Sequence, residues 1–165
     1  MAQISLKGTP INTNGNLPKI GTKAPSFRLV DGDLKERTLE EFKGKKKLLS
    51  IVPSLDTSVC SMSAKKFNDA AGQKKNAVIL VISVDSPFAQ KRVCGAEKMD
   101  NIITLSLIRS KKFAEDYGIL LVDGPLAGLC GRAIVVLDEN DKVLYTELVP
   151  EIAQEPNYDL ALKAL

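Results

Sequence analysis

Three cysteines carry most of the chemistry that this sequence could perform. They are Cys60, Cys94 and Cys130, and no two of them form a C-x-x-C pair, so neither a zinc ribbon nor a dithiol oxidoreductase motif is present. The sequence contains no histidine. A Cys-His protease is therefore excluded, and the commonest protein ligand of zinc is missing.

Cys60 differs from an ordinary buried thiol because of the residues around it. Thr57 or Ser58 is placed to cap a helix, and Cys60 would then lie in the first turn, where free backbone N–H groups favour a thiolate. A helix terminus contributes only about 0.3–1 kcal/mol at an exposed site, which is too little to ionise a thiol at neutral pH. A second cation is needed, and the best placed is Arg132, which opens a strand near the centre of the predicted sheet.

The elements that would position these residues follow the order of an α/β layer fold. A buried strand at 46–52, a helix from 57 to about 72 and an apolar strand at 77–85 predict a β-α-β unit with a parallel central sheet. The remaining predicted elements are a helix from Ser86-Pro87 to Cys94-Gly95, a strand at 101–108, a helix at 110–118, two strands within 131–149 and a closing helix at 157–165. This order predicts a thioredoxin-like fold, with a central mixed β-sheet flanked by helices.

An N-terminal region precedes this core. Residues 2–14 alternate apolar and polar side chains around Gly8-Thr9-Pro10, which predicts a β-hairpin extension over 1–16. Residues 26–38 predict two short strands, and Thr38 with Glu41 predicts a capping box. A length of 165 residues, 44% of them hydrophobic, predicts one domain over 1–165.

Composition argues against two classes of partner. The net charge is +3, and the densest basic cluster, residues 43–47, lies between a predicted helix and a predicted strand, so we interpret it as a solvated loop. Aromatic residues make up 5% with no Trp, which gives no basis for nucleic-acid binding. No apolar run approaches the roughly 18 residues that cross a bilayer, and no signal peptide is evident, so we expect a cytoplasmic protein without a membrane partner.

The segment PSLDTSVC at 53–60 resembles the active-site motif of peroxiredoxins. In that family a proline and a threonine precede the peroxide-attacking cysteine by seven and three positions, and Pro53, Thr57 and Cys60 match this spacing. Four longer runs are similar to the bacterial thiol peroxidases, a subfamily of the peroxiredoxins. These runs are residues 54–68, 87–97 around Cys94, 123–129 and 132–143, and the resemblance covers essentially the whole chain.

The resemblance implies a role for each matched residue. Cys60 would be the peroxidatic cysteine, whose thiolate attacks the O–O bond and becomes a sulfenic acid. The Thr57 hydroxyl would hold the thiolate and the peroxide, and Arg132 would stabilise the thiolate and the charge on the leaving oxygen. Pro53 would shape and shield the loop, although it could equally be a simple strand terminator. Cys94 would resolve the sulfenic acid as a disulfide within one chain, as in atypical two-cysteine peroxiredoxins.

The same resemblance implies the partners. A hydroperoxide would be the substrate, thioredoxin would be the reductant, and the protein would form a homodimer; no metal, flavin or haem is implied. Disulfide formation would require local unfolding around Cys60 and Cys94, because two sulfurs on separate helices bond only when their Cα atoms come within about 7 Å.

Two other interpretations stay open from the residues alone. One is a redox sensor whose Cys60–Cys94 disulfide changes binding to another protein, since sensors and peroxidases share a reactive thiol beside a resolving thiol. The other is a structural thioredoxin-fold module with inert thiols. Cys130 has no role in the family scheme, but it would lie on the same face as Arg132 if the strand already began at residue 130.

Overall fold

The computed structural model describes all of residues 1–165, and its strands form one two-stranded and one seven-stranded sheet. The strands are β1 (Gln3–Leu6), β2 (Thr9–Asn12), β3 (Arg28–Val30), β4 (Glu36–Thr38), β5 (Lys46–Ile51), β6 (Ala77–Ser83), β7 (Ile103–Ser106), β8 (Ala133–Leu137) and β9 (Val143–Leu148). The helices are α1 (Ser58–Ala71), α2 (Pro87–Ala96), α3 (Lys112–Asp116) and α4 (Tyr158–Ala164), with a 3₁₀ turn at Leu39–Phe42.

The large sheet is mixed, with the strand order β4-β3-β7-β6-β5-β8-β9. Strands β5, β6 and β7 are parallel neighbours, whereas β3 and β8 pair with them in the antiparallel direction. Helix α1 connects the parallel strands β5 and β6, as the predicted β-α-β unit requires. The predicted thioredoxin-like fold with flanking helices is therefore confirmed.

The two faces of the large sheet support two separate apolar clusters. Along β5, Leu49 and Ile51 lie in a cluster of 20 buried residues, while Leu48 lies in a cluster of 14 on the opposite face. Because both faces are covered, the central strands are apolar at nearly every position. The smaller cluster, which we call the α1-face cluster, also contains Cys60 and Phe67 of α1.

The helix starts agree with the sequence signals. Thr57 is the N-cap of α1, and Ser86 is the N-cap of α2, where its hydroxyl accepts the N–H of Ala89 at 3.2 Å. Pro87 occupies the first helical position of α2, where its missing N–H has no cost. The end of α2 differs slightly, since the helix continues to Ala96 rather than ending at Cys94-Gly95.

The N-terminal strands β1 and β2 form the antiparallel hairpin and cover a third, small cluster of Ile4, Ile11, Leu121 and Ile152. Leu148 packs against both this cluster and the larger of the other two. This shared contact supports the prediction of a single domain over 1–165. No helix combines the length and the apolar character that crossing a membrane requires.

The interpretation of residues 43–47 as a solvated loop is wrong for Lys47. Residues 43–45 are exposed, but Lys47 lies in β5 with none of its surface exposed. Its ammonium forms an ion pair with Asp141 and donates to the carbonyl of Phe42 at 3.4 Å. The lysine is buried because the strand continues the sheet through it, and the ion pair compensates its charge.

Candidate active site

Cys60 is the third residue of α1 and is completely buried in the α1-face cluster. Its neighbours in that cluster include Leu55 and Phe67, so the thiol lies under an apolar cover at the positive end of a helix. The helix start favours the anion, while the apolar cover excludes water from it. Chemistry at this sulfur therefore needs a further positive group and a path for the substrate.

The loop before α1 holds the two other residues of the predicted motif. Pro53 is buried and Thr57 is exposed. The Thr57 hydroxyl donates to the carbonyl of Ser54 at 3.0 Å and forms no hydrogen bond with the Cys60 sulfur. Its proton is therefore engaged by the loop, and its oxygen lone pairs are free to accept a hydrogen bond from a substrate O–H.

Arg132 lies immediately before β8, on the Cys60 side of the sheet. Ile134 and Val136 belong to the α1-face cluster, and the period of two places Arg132 on the same face. Its Nε donates to the carbonyl of Ile152 at 2.9 Å, whereas its buried Nη1 has no hydrogen-bond partner. A buried donor without a partner costs about 1–3 kcal/mol, so this nitrogen is a strong site for an oxygen or sulfur anion.

Two aromatic side chains join α4 to α1. Tyr158 of α4 contacts Phe67 of α1 edge to face, with ring centroids 5.2 Å apart. Burial and the hydrogen bond to Glu155 raise the pKa of Tyr158 to about 12, while the Arg132 charge acts in the opposite direction. The Arg132 charge thus acts on a tyrosine whose ring packs on the helix of Cys60. Tyr158 could not be predicted from the sequence as part of the site, because it occupies an ordinary position in the last helix, α4.

Cys94 lies on α2 and is half-buried against the same α1-face cluster as Cys60. Burial raises the pKa of the Cys94 thiol, and the negative charge of Asp100 raises it further. An open groove of about 270 Å³ separates the start of α1 from α2. Asp56 and Arg92 form an ion pair across it at 3.2 Å. The two cysteines are thus on adjacent elements, and both are reduced.

Cys130 lies on the other face of the sheet, in the cluster that does not contain Cys60. Strand β8 begins at Ala133, so the alternation that would have placed Cys130 beside Arg132 does not extend back to residue 130. Burial raises the pKa of the Cys130 thiol to about 12. This thiol has the properties of a buried packing residue.

Asp85 is a site residue that was not predicted from the sequence, and its carboxylate accepts hydrogen bonds from the loop that leads to Cys60. The signal was available, because Asp85 follows an apolar parallel strand, and the carboxyl ends of such strands are where sites form in α/β sheets. No group of three or more His, Cys, Asp or Glu side chains is arranged to hold a metal ion.

Comparison with known proteins gives consistent relatives over the whole chain. A family model described as Redoxin matches residues 19–162. Thiol peroxidases of Mycobacterium bovis and Mycobacterium tuberculosis are 53% identical over 165 residues, which is 100% of this chain and 99% of each relative.

Solved structures agree with these relatives. A peroxiredoxin-like protein from Aquifex aeolicus superposes with a TM-score of 0.93 at 38% identity, covering 99% of this chain and 95% of that one. A thiol peroxidase from Chromobacterium violaceum gives a TM-score of 0.90 at 26% identity, covering 98% and 93%. The chain therefore belongs to the redoxin family, within which it is a thiol peroxidase.

Proposed function

We propose that Cys60 is the residue with which this thiol peroxidase attacks its hydroperoxide substrate. The observation that carries the proposal is the unpartnered Nη1 of Arg132, which is buried on the same face of the sheet as Cys60. An anionic sulfur at a helix start and a cation with an unused donor are the two groups that the reaction needs.

In the first step, the Cys60 thiolate attacks one peroxide oxygen, and the O–O bond breaks. Two electrons pass from sulfur to oxygen, so that a sulfenic acid forms and the leaving oxygen departs as water or an alcohol after it takes a proton. Thr57 accepts a hydrogen bond from the peroxide O–H, since its own proton is donated to Ser54. Arg132 Nη1 stabilises the negative charge that develops on the leaving oxygen.

In the second step, Cys94 attacks the sulfenic sulfur, and a disulfide and one water form. Cys60 is fully buried and Cys94 half-buried, each within its own helix, so the helix segments must unwind before the sulfurs bond. Unwinding also reverses the burial that raises the pKa of Cys94, which makes its thiolate more available.

The disulfide is returned to two thiols by a thiol reductant, and we assign that role to thioredoxin. An exposed disulfide within one chain is a suitable substrate for an external dithiol, because exchange requires direct access to one sulfur. A homodimer and a cytoplasmic location rest on the family resemblance and on the sequence.

The proposal is tested by steady-state assays of Cys60→Ser, Cys94→Ser and Cys130→Ser with hydrogen peroxide or an alkyl hydroperoxide, thioredoxin and thioredoxin reductase. We expect Cys60→Ser to lose all activity and Cys94→Ser to lose thioredoxin-dependent turnover while still consuming one equivalent of peroxide. Cys130→Ser is the matched control and should turn over like the parent. A parent protein that consumes one equivalent and then stops would instead be a redox sensor.

A further inference from the structure

Asp85 joins the segments that carry the two reactive cysteines. It follows β6 and directly precedes the N-cap of α2. Its Oδ1 accepts the hydroxyl of Ser54 at 2.7 Å, and its Oδ2 accepts the backbone N–H of Leu55 and the hydroxyl of Ser83, each at 2.7 Å. Two of the three donors belong to the loop before α1. One carboxylate therefore fixes that loop to the end of β6.

The hydrogen bonds continue from Ser54 to Thr57. The Ser54 hydroxyl oxygen accepts the N–H of Asp56 at 3.1 Å, and the Ser54 carbonyl accepts the Thr57 hydroxyl at 3.0 Å. Ser54 thus sets the direction of the Thr57 hydroxyl. Because Asp85 holds Ser54, it acts on Thr57 without touching it.

The hydrogen bonds also continue from Asp85 to α2. The Ser83 hydroxyl donates to Asp85 and accepts Nε2 of Gln90 at 3.0 Å. Gln90 is fully buried on α2, one turn before Cys94, and also donates to the carbonyl of Leu105 at 3.0 Å. A continuous set of hydrogen bonds therefore runs from the loop of Cys60 to the helix of Cys94.

We propose that Asp85 is a positioning residue of the peroxidase reaction, which holds the loop at 54–57 in the geometry for peroxide attack and releases it for disulfide formation. The inference rests on the proposed roles of Cys60 and Cys94. Peroxide attack requires the folded loop, in which Thr57 is oriented. Disulfide formation requires the start of α1 to move, and the hydrogen bonds to Asp85 oppose that movement. Weakening them should slow the first step and assist the second.

The test separates the two steps in the full-length, fully reduced protein. Parent, Asp85→Asn and Ser54→Ala are mixed with hydrogen peroxide in the absence of reductant, quenched at set times, and analysed by mass spectrometry for sulfenic acid at Cys60 and for the disulfide. Ser54→Ala leaves the Asp85 carboxylate in place, so it keeps the test decisive if Asp85→Asn does not fold. Thermal unfolding of every variant is recorded alongside.

Asp31→Asn is the matched control. The carboxylate of Asp31 also accepts three hydrogen bonds, from the N–H groups of Asp33 and Lys35 and from the Arg37 guanidinium, but it lies in the turn between β3 and β4. Its replacement should lower stability without changing either rate constant.

For Asp85→Asn we expect the rate constant for peroxide to fall about 10- to 100-fold, while the rate constant for disulfide formation rises above the parent's. In Ser54→Ala each rate constant should change in the same direction as in Asp85→Asn, but by a smaller factor. A rate constant equal to the parent's for either step in both variants, or a fall in both steps, would overturn the role of Asp85. A parent protein that forms no sulfenic acid at Cys60 would instead overturn the proposed function itself.

Discussion

At the scale of single residues, the site depends on donors and acceptors that are left free. Arg132 uses Nε to bond Ile152 and leaves Nη1 without a partner, and Thr57 uses its proton within the loop and leaves its lone pairs. A guanidinium can divide its donors in this way because they lie in one rigid plane. A lysine ammonium also has more than one donor, but all of them sit on a single nitrogen, so it lacks the fixed plane in which Arg132 bonds Ile152 through one nitrogen and presents another.

Cys94 offers a test of how charge controls the second step. Burial and then the Asp100 charge raise the pKa of its thiol. Since the thiolate is the nucleophile, Asp100→Asn should lower that pKa and shift the pH midpoint of disulfide formation to a lower value. The measurement is the rate of disulfide formation after a single addition of peroxide, between pH 6 and pH 9. Glu115→Gln, which removes an exposed charge from α3, serves as the control, and an unchanged midpoint in Asp100→Asn would contradict the prediction.

The position of Cys60 in the first turn of a helix could be predicted from the sequence, because a helix cap and a residue spacing depend only on nearby residues. Thr57 and Cys60 lie within one turn, and their relation follows from helix geometry alone. The partners of Asp85 and Lys47 were not readable, because Asp85 bonds to Ser54 and Lys47 to Asp141 across distant parts of the chain. Only the assembled sheet brings these pairs together.

At the scale of elements, one carboxylate binds the turn of the N-terminal hairpin. Glu151 accepts the N–H groups of Lys7 and Gly8 and the hydroxyl of Ser5. Lys7 and Gly8 form the turn of the hairpin, with φ values of 50° and 82°. The N–H of Lys7, followed by the Ser5 hydroxyl and the N–H of Gly8, lowers the pKa of Glu151 to about 2.

This arrangement predicts a dependence on acid. Because the folded state lowers the pKa of Glu151 from 4.5 to about 2, its contribution to stability is complete above the higher value and is lost as the pH falls through the lower one. Glu151→Gln removes this contribution. Amide hydrogen exchange of residues 3–12 should therefore be faster than in the parent at pH 5, and the difference should shrink toward pH 2. Glu40→Gln, an exposed change, is the control; a difference that is the same at both pH values would count against the prediction.

The elements themselves were largely predictable. The apolar runs of β5 and β6, the caps of α1 and α2 and the hairpin all follow from periodicity and turn residues. The start of β8 was not predictable. Gly131 does not indicate whether the strand begins before it or after it. The predicted face of Cys130 depended on the residue at which this strand begins, and the structure places Cys130 on the face opposite Cys60.

At the scale of the whole molecule, the sheet separates two apolar layers, and one ion pair is buried at the end of the sheet where β5 begins. Lys47 has none of its surface exposed, and Asp141, its partner, lies in the turn between β8 and β9 with a φ of 66°. An ammonium in this position is tolerated only while the carboxylate is present.

Asp141→Asn should therefore destabilise the protein strongly. Asparagine tolerates the positive φ, so the backbone is kept while the fully buried charge of Lys47 loses its partner. We expect the free energy of unfolding in urea to fall by about 3–5 kcal/mol. The double variant Lys47→Met, Asp141→Asn should recover a large part of this loss, because no charge then stays buried. A double variant no more stable than the single one would show that the turn, rather than the ion pair, is responsible.

The backbone of one residue, Ile152, joins the N-terminal hairpin to Arg132. The N–H of Ile152 donates to the carbonyl of Ser5 in the hairpin, and the carbonyl of Ile152 accepts Nε of Arg132, both at 2.9 Å. During synthesis the ribosome delivers Cys60 and Arg132 well before Ile152. A nascent chain would thus carry its sulfur before the residue that orients the Arg132 guanidinium has been added.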